Sequence, residues 1–200
     1  MNSNSIMANR IILITGTPAV GKTTLAKKLA EQLKAQYVNL TEFAKSEDLI
    51  LKKDKARDTA VIDEKGMRQK LRALIDKAQT DIIVDGHYAS AVTPKPLVTN
   101  VFVLRRNPLQ LRELMRKRGY DEKKQKENLE AEILDVCLVE ALNKQEKSKI
   151  CELDVSGRSV NEMLKDILEV LAGKKSCYLG CVDWLSMLER EGKTSEFLRP

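Results

Sequence analysis

One short segment limits the folds open to this chain more than any other. It is Gly16-Thr17-Pro18-Ala19-Val20-Gly21-Lys22-Thr23, preceded by the apolar run Ile11-Ile12-Leu13-Ile14 and followed by Thr24 to Leu33. An apolar, β-branched run without alternation reads as a strand buried on both faces. Leu25, Leu29 and Leu33 recur at helical spacing and mark one apolar helix face. The pattern G-x-x-x-x-G-K-[ST] between a strand and a helix lets a loop wrap its N–H groups around phosphate oxygens, at a helix end that favours anions. A chain built this way belongs to the α/β class, with parallel strands, helices on both faces and right-handed crossovers.

The remaining pattern extends that plan. Tyr37 to Leu40, Ile82 to Val84, Val101 to Leu104 and Ile150 to Val155 read as four further short strands, giving a five-stranded parallel sheet. Thr41 is placed to cap a short helix ending near Ser46, and Met67, Leu71, Leu74 and Ala78 form the inner face of a helix from Asp63. Residues 47–60 mix Lys, Asp and Leu without a clear period, and 89–99, with two prolines, read as loop. Pro108 opens a helix that Gly119 stops. Asp121 to about Lys147 reads as one long charged helix with Glu and Lys three and four apart. Ser159 caps a helix facing inward through Val160, Met163, Leu164, Ile167 and Leu168. A short terminal helix covers Val182 to Glu191.

With 200 residues, 42% hydrophobic and 32% charged, the chain reads as one soluble domain with a tail. No apolar run approaches the roughly 20 residues that span a bilayer, and the polar residues 1–9 read as a flexible N-terminus without a signal peptide. The expectation is a cytoplasmic protein. The net charge of +6 suits contact with nucleotides, RNA or an anionic surface, although lysines and arginines scattered over solvated helices give the same total. Four cysteines, 137, 151, 177 and 181, read as buried thiols. The pair at 177 and 181 lacks the further ligands that a zinc site needs.

In such sheets ligands sit beyond the carboxyl ends of the strands, where Gly16, Asp85, Arg105 and Asp154 fall. Lys22 is placed to reach the β- and γ-phosphates and Thr23 to hold Mg²⁺ through its hydroxyl. Asp85 closes an apolar strand and is a second carboxylate for the metal, or a plain strand-end cap. His87, the one histidine, can orient a water or sense the γ-phosphate, or simply bond a loop carbonyl. Arg105, Arg106, Arg112, Arg116 and Arg118 cluster in sequence, and guanidinium groups offset the charge that phosphoryl transfer develops. Arg105 and Arg118 are the preferred clamps, and Arg158 is placed to flank the adenine or its phosphates.

Several blocks narrow this further: the loop Gly16 to Thr24, Val84-Asp85-Gly86-His87, Val101 to Arg105, Arg118-Gly119-Tyr120-Asp121-Glu122-Lys123-Lys124 and Glu127 to Ile133. Together they resemble the atypical adenylate kinase family of the CINAP type, in its archaeal form, over roughly residues 10–171. The resemblance implies a P-loop NTPase domain with a nucleoside monophosphate (NMP) kinase-like core over 10–172, and a C-terminal tail over 173–200. Within the core it places an NMP-binding region at about 39–62 and a short lid at about 117–127. It implies ATP contacts at Ala19, Gly21, Lys22, Thr23, Thr24, Arg118 and Arg158. Catalytic roles fall on Lys22, Asp85, His87 and Arg118, and Mg²⁺ on Thr23 and Asp85, partly through water. AMP or another NMP is the implied acceptor, alongside an ATPase activity. The family also implies late maturation of the small ribosomal subunit and its rRNA, by docking on the eleventh small-subunit ribosomal protein.

This chain departs from the family pattern at three places. Ala19 replaces the usual loop glycine, so its φ is expected to be negative. Gly86-His87-Tyr88 stands where a bulkier sequence is usual. Lys45 occupies a position where an arginine would grip AMP, and an ammonium lacks the bidentate fork. An ATPase switch for ribosome assembly with little kinase activity is therefore the competing reading. No motif points to a shikimate or nucleoside kinase.

Overall fold

The computed structural model describes residues 9–54 and 59–198. Residues 1–8, and 55–58 within the expected acceptor region, lie outside them. Strand β1 (Ile11–Gly16) runs into helix α1 (Lys22–Leu33), β2 (Gln36–Asn39) and α2 (Leu40–Ser46). Next come β3 (Ile50–Asp54), β4 (Thr59–Ile62), α3 (Glu64–Asp76), β5 (Ile82–Asp85) and a four-residue helix α4 (Ala89–Val92). The second half holds β6 (Asn100–Arg105), α5 (Pro108–Lys117), α6 (Glu122–Ile133), α7 (Val136–Lys144), β7 (Ile150–Asp154) and α8 (Val160–Leu171). It closes with α9 (Trp184–Arg190) and α10 (Thr194–Phe197).

Five strands form one parallel sheet in the order β2-β5-β1-β6-β7, so β1 is central. Alternation along each strand divides the core between the two faces. Ile12, Ile14, Ile83, Phe102, Leu104, Cys151 and Leu153 pack with α1, α5, α6, α8 and the C-terminal helices. Ile11, Leu13, Ile82, Val84, Val101, Val103 and Ile150 pack with α3, α4 and α7. Burial on both sides is why these strands read as unbroken apolar runs. Gly16 ends β1 because nothing larger fits: a Cβ there would lie 2.4 Å from the Leu104 carbonyl oxygen, and its φ is 133°.

Four expectations need correction. Residues 50–62 hold an antiparallel hairpin, β3 with β4, that a hydrophobic period could not reveal, because it lies outside the main sheet with Leu51 and Val61 open to solvent. Residues 89–99 are not all loop, since α4 and a 3₁₀ turn at Lys95–Leu97 lie within them. Asn39, not Thr41, caps α2, accepting bonds from the Thr41 and Glu42 amides. The long charged helix is two helices, broken at Asp135, whose φ is 58°. Aspartate tolerates this left-handed conformation better than most residues, and here its carboxylate pairs with Arg105.

Other local signals hold. Asn107 caps α5 with Pro108 in its first turn, Gly119 ends that helix at φ 71°, and Ser159 and Glu162 form a capping box for α8. The C-terminal segment lies along the outer edge of β7. There the Glu152 amide donates to the Tyr178 carbonyl, and the Glu152 carboxylate accepts from the Gly180 and Cys181 amides at 2.6 and 3.0 Å.

Candidate active site

The loop after β1 is held by its own backbone and by two long-range contacts. Gly21 has φ 113° and precedes α1, which presents its first N–H groups to the loop. Ala19 has φ 72°, against the expectation of a negative value. The turn demands the left-handed conformation there whichever residue fills it. The cost, roughly 1 kcal/mol, is offset because the Ala19 methyl is buried in the core cluster. Lys22 Nζ donates to the Thr17 carbonyl at 2.9 Å, and Arg106 Nε donates to the Val20 carbonyl at 3.1 Å. Burial lowers the Lys22 pKa, and Arg118 lowers it further, while Cys137, Asp85 and Glu132 oppose the shift. Arg106 is likewise lowered by burial and by Arg118. Lys22 and Arg106 both bond carbonyls of the loop, and positive charge gathered at such a loop suits an anion.

Beside the loop, Thr23 Oγ1 donates to Asp85 Oδ2 at 2.7 Å. The same oxygen accepts from Tyr37 Oη at 2.8 Å and Asn39 Nδ2 at 2.9 Å. Asp85 is 1% exposed at the end of β5, so these donors orient the carboxylate toward Thr23. Hydroxyl and carboxylate oxygens suit Mg²⁺, which is commonly held by one or two protein oxygens plus substrate phosphates. Among the described residues no cluster of three or more His, Cys, Asp or Glu is arranged to hold a metal, so this pair is the candidate.

His87 follows the turn at Gly86, and its carbonyl accepts from Thr15 Oγ1 at 3.1 Å. Its ring meets Tyr88 edge-on at 4.9 Å. The residue keeps part of its surface open to solvent. Desolvation of the ring, then the charge of Lys22, nevertheless push its pKa down to about 4, with Asp85 opposing. The imidazole is therefore neutral near pH 7 and can accept a hydrogen bond.

Arg105 is not a phosphate clamp. It is 2% exposed and donates to Glu132 Oε1 at 3.0 Å and Glu152 Oε1 at 2.6 Å, with a third pairing to Asp135. Successive side chains on a strand point to opposite faces, and its neighbour Arg106 is the one that turns to the loop. Arg118 caps the end of α5, inside the stretch expected to form a lid. Thr24 is exposed in the first turn of α1 and Lys45 is exposed on α2. Arg158 is engaged elsewhere, with Asp166 at 2.8 Å and with the Asp154 and Glu162 carbonyls.

Four participants were not singled out from sequence: Tyr37 and Asn39, which orient Asp85, Glu132, and Cys137. Of the cysteines only Cys151 is buried, contrary to expectation. Cys137 reaches the site at the start of α7, with its sulfur 3.9 Å from the His87 carbonyl oxygen. Burial pushes its pKa up to about 11 although Lys22 pulls it down. Glu132 accepts from Thr17 Oγ1 at 2.6 Å, across 115 residues of sequence. The Glu127–Ile133 block of the resemblance was the one available signal for it.

A parallel sheet with a glycine-bounded loop, a half-buried lysine and a hydroxyl–carboxylate pair at its carboxyl edge defines a P-loop kinase fold. A family model described as an AAA domain matches residues 12–135. Archaeal proteins named "Putative adenylate kinase" match closely. That of Methanocaldococcus jannaschii is 40% identical, covering 86% of this chain and 92% of its own. That of Pyrococcus furiosus is 37% identical over 90% and 93%. The chain belongs to this family of archaeal P-loop proteins. Among solved structures, thymidylate kinase from Candida albicans aligns with TM-score 0.54 and 16% identity, covering 86% of this chain and 97% of that one. A gluconokinase from Sinorhizobium meliloti aligns with TM-score 0.54 and 15% identity over 83% and 93%. Both likenesses concern the fold. Among the described residues no helix is long and apolar enough to cross a membrane.

Proposed function

We propose that this chain is an adenylate kinase-like enzyme that transfers the γ-phosphoryl group of ATP to AMP or another nucleoside monophosphate. The observation that carries the reading is the loop itself, with Lys22 and Arg106 bonded to its Thr17 and Val20 carbonyls beside the Thr23–Asp85 pair. The names of the archaeal relatives support it.

Phosphoryl transfer demands positioning and charge stabilisation more than covalent chemistry from the protein. The amides from Ala19 to Thr24 cradle the phosphates, and Lys22 exchanges its bond to the Thr17 carbonyl for phosphate oxygens. Arg106 takes the place expected of Arg105, and Arg118, at the lid hinge, closes over the transferred group. Thr23 and Asp85 would hold Mg²⁺, directly or through water, and the ion would supply charge neutralisation at the phosphates. Asp85 and the neutral His87 are placed to orient a water, which gives the accompanying ATPase activity. Measuring ADP formation from ATP with and without a panel of NMPs tests the reading. AMP-dependent ADP formation that Lys22→Ala abolishes is expected, and ADP formation indifferent to every NMP would remove the kinase assignment.

The second reading, an ATPase that switches during small-subunit maturation, rests on the family resemblance and is favoured by Lys45 where an arginine would grip AMP. The cytoplasm is the fitting compartment for either role. Pull-down of the eleventh small-subunit ribosomal protein, with and without ATP, tests the switch. Capture insensitive to nucleotide and to His87→Ala would count against it.

A further inference from the structure

Glu132, in the last turn of α6, is 1% exposed, and donors from four places converge on its carboxylate. Oε2 accepts from Thr17 Oγ1 at 2.6 Å. Oε1 accepts from Arg105 Nε, the Arg106 amide and Trp184 Nε1, each at 3.0 Å. Thr17 is the loop residue whose carbonyl takes both the Lys22 ammonium and the Val20 amide. Arg106 is the residue whose guanidinium lies on the Val20 carbonyl. Trp184 opens α9 in the C-terminal segment, is 7% exposed and is the one tryptophan of the chain. The C-terminal segment therefore reaches the phosphate loop through a single carboxylate and two hydrogen bonds.

We propose that Glu132 is a positioning residue for the phosphate loop and that, through it, Trp184 of the C-terminal segment sets the affinity for nucleotide. Charge-assisted bonds in a buried setting are strong and directional, and members of one network couple. Losing the indole donor lets the Glu132 carboxylate shift, and Thr17 and the Arg106 backbone shift with it. Both hold the loop in shape, Thr17 through Lys22 and Arg106 through the Val20 carbonyl. The inference rests on nucleotide binding by the loop, as proposed above.

A double-mutant cycle on ADP affinity, read by calorimetry on the full chain, tests it. Thr17→Val keeps the residue's shape and removes the hydroxyl. Trp184→Phe keeps a packed ring and removes the indole N–H. Each single change is expected to weaken ADP binding about five- to tenfold, while Thr17→Ser retains wild-type affinity. The double variant should be weaker than the poorer single by no more than about twofold, because both act through one carboxylate. Leu188→Ala, which removes buried packing from α9 without touching Glu132, should lower the melting temperature and leave affinity unchanged. In the wild type, ADP should change the emission of Trp184, and Thr17→Val should abolish that change at saturating ADP. Independent, multiplying effects in the cycle, or unaltered affinity in Trp184→Phe, would overturn the inference. Wild-type protein that binds neither ADP nor ATP would instead overturn the nucleotide reading, and this inference with it.

Discussion

The two sides of the site are built differently. On the donor side, the loop between β1 and α1 is tied into the interior by Thr17, Lys22 and Arg106, over a buried network of Arg105, Glu132 and Glu152. On the side proposed for the acceptor, α2 packs Leu40 and Ala44 into the core, but the β3–β4 pair lies outside the main sheet and Lys45 and Leu51 are exposed. Under the proposed function, the difference means that phosphate geometry is fixed by the core and acceptor choice by an exposed surface. Substitutions on the first side should therefore act on stability and on every substrate together. Those on the second should act on the acceptor alone.

The largest effect is expected at Arg105. Arg105→Leu leaves Glu132 and Glu152 buried without their cation and should cost about 3–5 kcal/mol in denaturant unfolding, as breaking buried pairs does. A loss under about 1 kcal/mol would mean that the network relaxes freely. At Lys45 the effect moves to the acceptor. Lys45→Ala should raise the KM for AMP about tenfold, the worth of one modest charged contact, with the KM for ATP unchanged. A parallel rise in both would erase the distinction between the sides.

His87 offers a test through pH. Its folded pKa, about 4, lies below the ordinary value of 6.5. Between these values the unfolded chain binds more protons than the folded one, so stability falls as pH drops through that window. His87→Asn should flatten the slope of melting temperature against pH from about 6.5 to 4, and an unaltered slope would show that His87 titrates normally. The smallest effect belongs to Ala19. Ala19→Gly relieves left-handed strain of roughly 1 kcal/mol and gives up a buried methyl worth a similar amount. Stability should stay within about 1 kcal/mol of wild type by chemical denaturation, and a larger change of either sign would show that one term dominates.

What was legible in the sequence was what local geometry determines. The strand–loop–helix around Lys22, the carboxylate ending β5, the proline opening α5 and the cap at Ser159 all depend on neighbours a few residues away. The parallel sheet followed from five apolar runs. What escaped depended on contacts across the chain or on a parity that composition does not encode. Whether Arg105 or Arg106 faces the loop is decided by the phase of β6 at its last residue. The break at Asp135 lies in a run whose charge spacing continues smoothly, and it exists because Arg105 draws that carboxylate in. Tyr37 and Asn39 look like ordinary strand residues until β2 pairs beside β5 and brings them to Asp85. The left-handed Ala19 shows that a loop can impose its backbone on a residue poorly suited to it.

The carboxylate of Glu132 also bears on how such a chain can diverge. Because it answers donors at positions 17, 105, 106 and 184, losing it strands four hydrogen bonds at once, and no single neighbour can stand in for it. The phosphate loop and the last helices of this protein therefore answer to one side chain although 167 positions separate Thr17 from Trp184.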